Sequence, residues 1–304
     1  MKSMLLPLLT GGIVLVRILV NPISNVFQKQ LAQKSMEPVI IIGTTHGLLA
    51  LGLIPLFLLG AVAFPIAGAF WWSIGIAAFL AVTSNVLLVQ ALKTGDLSIL
   101  GPLNAYKAPV SMAIAAILIS ETPTARGVLG VLLIVAGSYL ILDRPTGMGA
   151  SQNVVSFWKN QGIQLRLMAL CLSATEAVFL KRALLVSSPL ATFAGWAILG
   201  VPVAVVAAVF LLPRPVEAGR TLLKQHRWTC LGLAATTGAM QLTTLFTFGK
   251  LQVGASLALF QLSALVSVFL GHRYFNEGNL RQRLVGTGVM VAGAMLIVSG
   301  GTRP

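Results

Sequence analysis

The sequence predicts an all-α membrane protein with about ten transmembrane helices in two inverted five-helix repeats. Three observations carry that prediction. First, 57% of the 304 residues are hydrophobic and only 9% are charged, where a soluble domain would carry about 25% charged residues. Second, apolar runs long enough to span a bilayer recur from end to end. Third, the second half repeats landmarks of the first at a constant spacing. No linker or low-complexity tract marks off a soluble domain.

Apolar periodicity places the helices at about 5–28, 38–60, 69–92, 97–120, 125–142, 165–185, 189–212, 228–248, 252–271 and 282–300. The longest loops are expected at about 143–164 and 213–227. Lys2 followed by an apolar run resembles a signal peptide superficially. No small-residue cleavage site follows, so the run is read as the first span, uncleaved. Three sections are expected: a first repeat over 1–142, a connection over 143–164 and a second repeat over 165–304.

The repeat rests on particular residues. Val26-Phe27-Gln28-Lys29 returns as Val178-Phe179-Leu180-Lys181, and Pro38 and Pro189 open equivalent helices. An offset of 156 pairs Trp72 with Trp228, Asn85 with Gln241, Glu121 with Glu277, Gly130 with Gly286 and Gly137 with Gly293. A unit of five spans is odd, so the second copy enters the membrane upside down. Many secondary transporters use that arrangement for alternating access. Trp72 and Trp228 would then anchor equivalent helices at opposite interfaces.

The net charge of +14 comes from 21 Lys/Arg against 7 Asp/Glu. The basic residues fall mostly in short loops between spans, which is a membrane pattern and argues against nucleic acid. Their distribution favours both termini outside. Cys171 and Cys230 suggest neither a disulfide framework nor a metal site. Without a Walker sequence, an HExxH pair or a GxSxG elbow, neither ATP-driven pumping nor catalysis is expected. No cofactor is expected either.

The fourth span, Leu97–Ser120, carries Lys107 near its middle. An ion at that depth costs at least a few kcal/mol unless it faces a partner or a wet cavity. Asn104, Lys107 and Ser111 share one helical face. Pro102 and Pro109 bracket that face, and proline can locally open a membrane helix. Arg17 begins a second polar stripe, continued by Asn21, Ser24 and Gln28. Glu176 lies deep in the sixth span. Arg17, Lys107 and Glu176 are read as the intramembrane ions. Glu176 pairs with Lys107 or Arg17 in this reading, leaving one cation for a substrate carboxylate or phosphate. Alternatively Glu176 takes up a proton during the cycle, or the charges form a fixed salt bridge that orients helices.

Asn85 and Gln241 are expected to hydrogen-bond the ligand, Ser263 to contact it, and Phe260 to form an apolar wall. Thr237, Thr244, Ser256 and Ser267 fit either ligand contact or helix-packing glue. His46 suits a hydrogen-bonded packing role near Thr44 or Thr45. Trp196 suits packing or lipid contact, with the cavity as the other reading. The glycines at 130, 137, 286 and 293 are expected to bring the fifth and tenth helices close. A homodimer seam is their other use.

Further residues resemble the drug/metabolite transporter superfamily, specifically its EamA-type members. They are Ala91-Leu92-Lys93, the proline-bearing fourth helix, Ser120-Glu121-Thr122-Pro123, and Ala136-Gly137. Asn276-Glu277-Gly278 and Ala292-Gly293 echo them. The resemblance implies ten helices around a central substrate cavity. It also implies a secondary transporter, an exporter or exchanger, for a small polar metabolite such as an amino acid or organic anion. The expected partners are that small molecule, the lipid bilayer and H+ as a coupling ion. The expected location is a bacterial inner (plasma) membrane, as a multi-pass protein. A non-transporting scaffold and a membrane enzyme acting on lipid-linked substrates are the competing classes. The scattered acidic residues disfavour the enzyme.

Overall fold

The computed structural model describes residues 2–107, 109–110, 124–141, 159–250 and 253–299. Among these residues the secondary structure is helical throughout. The longer helices are α1 (Lys2–Gln33), α2 (Pro38–Gly52), α4 (Gly68–Thr94), α7 (Gln161–Leu185), α8 (Pro189–Leu211) and α9 (Pro215–Lys250). Shorter ones are α3 (Ile54–Leu58), α5 (Leu97–Leu100), α6 (Ala125–Leu140), α10 (Val253–Phe260), α11 (Ser263–Phe275) and α12 (Leu280–Ser299). By length and composition, five stretches suffice to cross a membrane: Gly11–Gln33, Pro38–Leu58, Gly68–Thr94, Gln161–Leu185 and Pro189–Leu211.

Helix starts follow from sequence. The Asn160 side chain accepts from the Ile163 N–H and so caps α7. Ser188 caps α8 through the Ala191 N–H, with Pro189 at the first helical position. Both side chains satisfy donors that a helix N-terminus leaves open.

Three expected spans differ in the structure. The fourth is not one straight helix. The single α-turn of α5 gives way to a 3-10 segment over Pro102–Tyr106, and α-helical geometry resumes at Lys107. Pro102 lacks the N–H that a continuing α-helix would use. The ninth span breaks at Gln261–Leu262, between α10 and α11. The loop expected at 213–227 is mostly helix. It continues into the eighth span through a bend at His226 (φ −130°, ψ 28°), because no proline interrupts the run after Pro215.

Packing is pairwise. Helix α4 lies along α7, α1 along α9, α2 along α8, and α6 along α12. Small residues allow the close approaches. Ala77, Ala78 and Ala81 are fully buried on α4. On α6 and α12 the glycines meet. A Cβ built on Gly130 would lie 2.5 Å from the Gly293 carbonyl oxygen, and one on Gly137 would lie 2.6 Å from that of Gly286. Only glycine permits that backbone contact. These four residues are therefore used within the chain. Trp72 and Trp228 are about three-quarters exposed, at 75% and 73%, as interface anchors would be.

Candidate functional site

Helices α1, α4, α7, α8, α9 and α10, with the 3-10 segment and Lys107, surround a cavity of about 110 Å³. From the first half of the chain, Arg17, Asn21, Asn85, Asn104 and Lys107 reach its wall. From the second half, Glu176, Gln241 and Phe260 do so. The stripe expected on the first helix runs along it, since Ser24 and Gln28 also line the space. Ser111 lies outside the described residues. Ser263 is displaced from the expected wall. It is buried at 2% exposure, and its hydroxyl accepts from the Asn21 amide at 3.3 Å. The break before α11 turns it behind Asn21, so it orients a wall residue instead of forming the wall.

Arg17 is held from two directions. Its Nε donates to the Thr244 hydroxyl at 2.7 Å, and its guanidinium lies 4.7 Å from the centre of the Phe260 ring. A cation over an aromatic face gains electrostatic stabilisation without a counter-charge. Its Nη1 and the Gln241 Nε2 are buried donors with no hydrogen-bond partner among the described residues. Unmade bonds of this kind are costly in a low-dielectric interior.

Glu176 does not form the direct ion pair expected of it. Its Oε1 accepts from the Trp196 indole N–H at 3.2 Å. Lys107 and Arg17 act on it electrostatically through the shared cavity. Among the described residues, no hydrogen bond or ion pair holds Lys107. Trp196 is buried at 2% exposure and lines the cavity. Behind it, the His46 ring packs at 4.5 Å between centroids, and His46 Nδ1 bonds the Ala197 carbonyl oxygen at 3.2 Å. Histidine 46 thus binds across to α8, not to the threonines beside it. A Cβ on Gly200 would collide with the His46 ring, so glycine there keeps the stack in place.

Arg166 is a charged cavity residue that sequence reasoning missed. It lies in the second turn of α7 and looks like a residue near a membrane interface. The structure buries it at 6% exposure on the cavity wall. Its Nε donates to the Leu100 carbonyl oxygen at 2.9 Å, and its Nη2 to the Asn104 Oδ1 at 3.2 Å. The available signal was the broken fourth span, because an interrupted helix leaves carbonyls for a buried guanidinium to satisfy.

A second ionic cluster, also unforeseen, lies where α1, α5, α11 and α12 meet. Glu277, in the turn between α11 and α12, pairs with Lys29 at 2.6 Å. Its Oε1 accepts from the Leu97 N–H at 2.8 Å, and its Oε2 from the Ser98 N–H at 2.7 Å and the Ser98 hydroxyl. Arg283 donates to Ser98 Oγ and pairs with Asp96 at 3.0 Å. Burial alone would raise the Glu277 carboxyl. Hydrogen bonds from Lys29 and Ser98 outweigh it and hold the group below the ordinary carboxylate range.

Comparison with known proteins accords with this architecture. A crystal structure of another protein aligns over 94% of this chain and 95% of its own, with a TM-score of 0.60 and 14% identity. At that identity the likeness concerns the fold. No curated protein matches the sequence. Residues 11–143, a little under half of the chain, match the model of the EamA-like transporter family. That stretch resembles the EamA-like transporters, and among the described residues five helices are long and apolar enough to cross a membrane.

Proposed function

We propose that this protein is a secondary transporter that moves a small polar metabolite, an amino acid or organic anion, by alternating access around the central cavity. The carrying observation is Lys107, a cation on the cavity wall with no hydrogen bond or ion pair of its own among the described residues. Ionisable groups inside a membrane are expensive and usually functional. Lys107 would attract the substrate's anionic group. Arg17, Asn21, Asn85, Asn104 and Gln241 would orient it, Phe260 would contact its apolar part, and Glu176 would exchange a proton with a coupled H+. Ser111 remains part of this proposal, and Ser263 supports Asn21.

Two inverted repeats, 1–142 and 165–304, supply the moving parts. The helix pairings support this reading. Exchanging the halves turns the α4–α7 contact into the α9–α1 contact, and maps α2–α8 and α6–α12 onto themselves. The breaks at 101–106 and 261–262 fall in equivalent spans. The proposed setting is a bacterial inner membrane, with both termini outside and export or exchange as the direction.

The test is flux into proteoliposomes loaded with amino acids, organic acids and phosphorylated metabolites, against protein-free vesicles. The proposal expects saturable flux of one class. In Glu176→Gln, net flux loses its response to a pH gradient while substrate exchange persists. An unchanged pH response removes Glu176 from coupling. An absence of flux for every compound, with folded protein inserted, overturns the transporter reading.

A further inference from the structure

Resting on that transport reading, we infer that the substrate is a small dianion with its two anionic groups at separate positions, a dicarboxylate or a phosphorylated acid. The argument is one of charge that no proton movement can remove. The described wall holds three cations, Arg17, Lys107 and Arg166, and one acid, Glu176. Before Glu176 takes up a coupled proton, Lys107 and Glu176 cancel, whether both are ionised or a proton has passed between them. The two guanidiniums stay charged under all ordinary conditions.

Among the described residues neither arginine has an acidic partner. Arg17 is bound by a hydroxyl and an aromatic face, Arg166 by a backbone carbonyl and an amide oxygen. The other described acids are committed elsewhere. Asp96 and Glu277 face Arg283 and Lys29. Glu37 is exposed, and Glu217 pairs with Arg214 at the surface. Two positive charges therefore remain on the wall among the described residues. A zwitterion would neutralise neither, and a monoanion only one. A dianion neutralises both, and guanidinium is the side chain best shaped for carboxylate or phosphate.

The arginines also reach the wall from different helices, Arg17 from α1 and Arg166 from α7. Arg17 meets Thr244, one turn before Phe248, whose carbonyl accepts from Lys181 near the end of α7. Arg166 meets Leu100, at the start of the broken span. Two separated anionic groups fit that placement better than one compact phosphate. The unpartnered Arg17 Nη1 and Gln241 Nε2 are donors for the ligand's oxygens.

Counterflow of the whole chain in proteoliposomes tests this with four labelled probes: succinate, 3-phosphoglycerate, lactate and alanine. The expected result is exchange of at least one dianion about tenfold or more faster than lactate and alanine, a gap worth roughly 1.4 kcal/mol. The succinate and 3-phosphoglycerate arms tell a dicarboxylate from a phosphorylated acid. Arg166→Gln shifts the dianion-to-lactate ratio toward lactate by about tenfold. Should that variant fail to insert, Arg17→Gln is read in the same way, and the wild-type ratio alone still decides. Lactate or alanine exchanging as fast as both dianions overturns the inference and leaves the transporter standing. So does a ratio that neither variant moves. Exchange of no probe, in vesicles that also fail with every other metabolite class, removes both.

Discussion

At Glu277 both carboxylate oxygens are filled. Lys29 and the Leu97 N–H occupy one, and Ser98 occupies the other through its N–H and hydroxyl. At Glu176 the Trp196 indole is the hydrogen-bond donor, and its charged neighbours act across open space. Both carboxylates are buried, at 6% and 9% exposure. The difference lies in what surrounds them. Glu277 ties the starts of α5 and α12 to α1, and its bonds are complete without a ligand. Among the described residues, the cavity leaves Lys107, the Arg17 Nη1 and the Gln241 Nε2 without hydrogen-bond partners. A closed ionic network holds helices together, whereas an incomplete one is arranged to be completed by something that arrives.

If that contrast is right, changes at the two carboxylates have different readouts. The largest effect on stability is expected from Glu277→Gln. It leaves Lys29 buried without a counter-charge, a loss of about 3–5 kcal/mol, seen as a large fall in the melting temperature of the detergent-solubilised protein. The same group sets an acid limit. Its folded carboxyl is lowered, so its contribution is present above the ordinary carboxylate value. The contribution is lost as pH falls below that value and through the folded one. Melting scans between neutral and strongly acidic pH should show that loss in the wild type and its absence in Glu277→Gln. Equal acid sensitivity in both would place the limit elsewhere.

A smaller effect is expected behind the cavity. Gly200→Ala pushes a methyl into the His46 ring and costs about 1–3 kcal/mol of overpacking. Because His46 backs Trp196, substrate affinity should fall with stability, and a variant with wild-type KM would separate the stack from the site. Trp196→Phe keeps the packing and deletes the donor to Glu176. About 1 kcal/mol is at stake, and the concentration dependence of counterflow should show KM up roughly fivefold with little change in melting. An unaltered KM would make the bond to Glu176 incidental. The smallest effect belongs to the surface pair. Arg214 and Glu217 are exposed at 77% and 68% and lie 3.5 Å apart. Arg214→Gln should change neither flux nor melting measurably, and a clear loss would mean that surface charge takes part in the cycle.

Much of the scaffold was legible because membranes impose simple rules. Apolar length located most helices, and glycines seven apart foretold the α6–α12 crossing. The polar stripe through Arg17, Asn21, Ser24 and Gln28 was legible because a helix places those positions on one face. Lys107 and Glu176 stood out as ions in apolar runs. Other features depend on partners distant in sequence. Glu277 meets Lys29 across 248 positions and Ser98 across 179, and no local pattern announces either contact. Arg166 was hidden by its place near a helix start, where arginines usually reach water. Its burial follows from the break after Leu100, which proline permits but does not dictate. Ser263 shows the converse. Its helical spacing pointed at the cavity, and the break at Gln261–Leu262 removed it from the assumed face.

The central claim is that Lys107 is the cation the cavity presents to its substrate. The most direct measurement is the initial rate of counterflow in proteoliposomes for Lys107→Ala relative to wild type, at matched insertion and with melting recorded in parallel. Losing a charge-assisted contact worth about 2–3 kcal/mol predicts a rate reduced by roughly thirty- to hundredfold or more, with melting preserved because Lys107 makes no hydrogen bond or ion pair among the described residues. A wild-type rate in the inserted, folded variant would contradict the account.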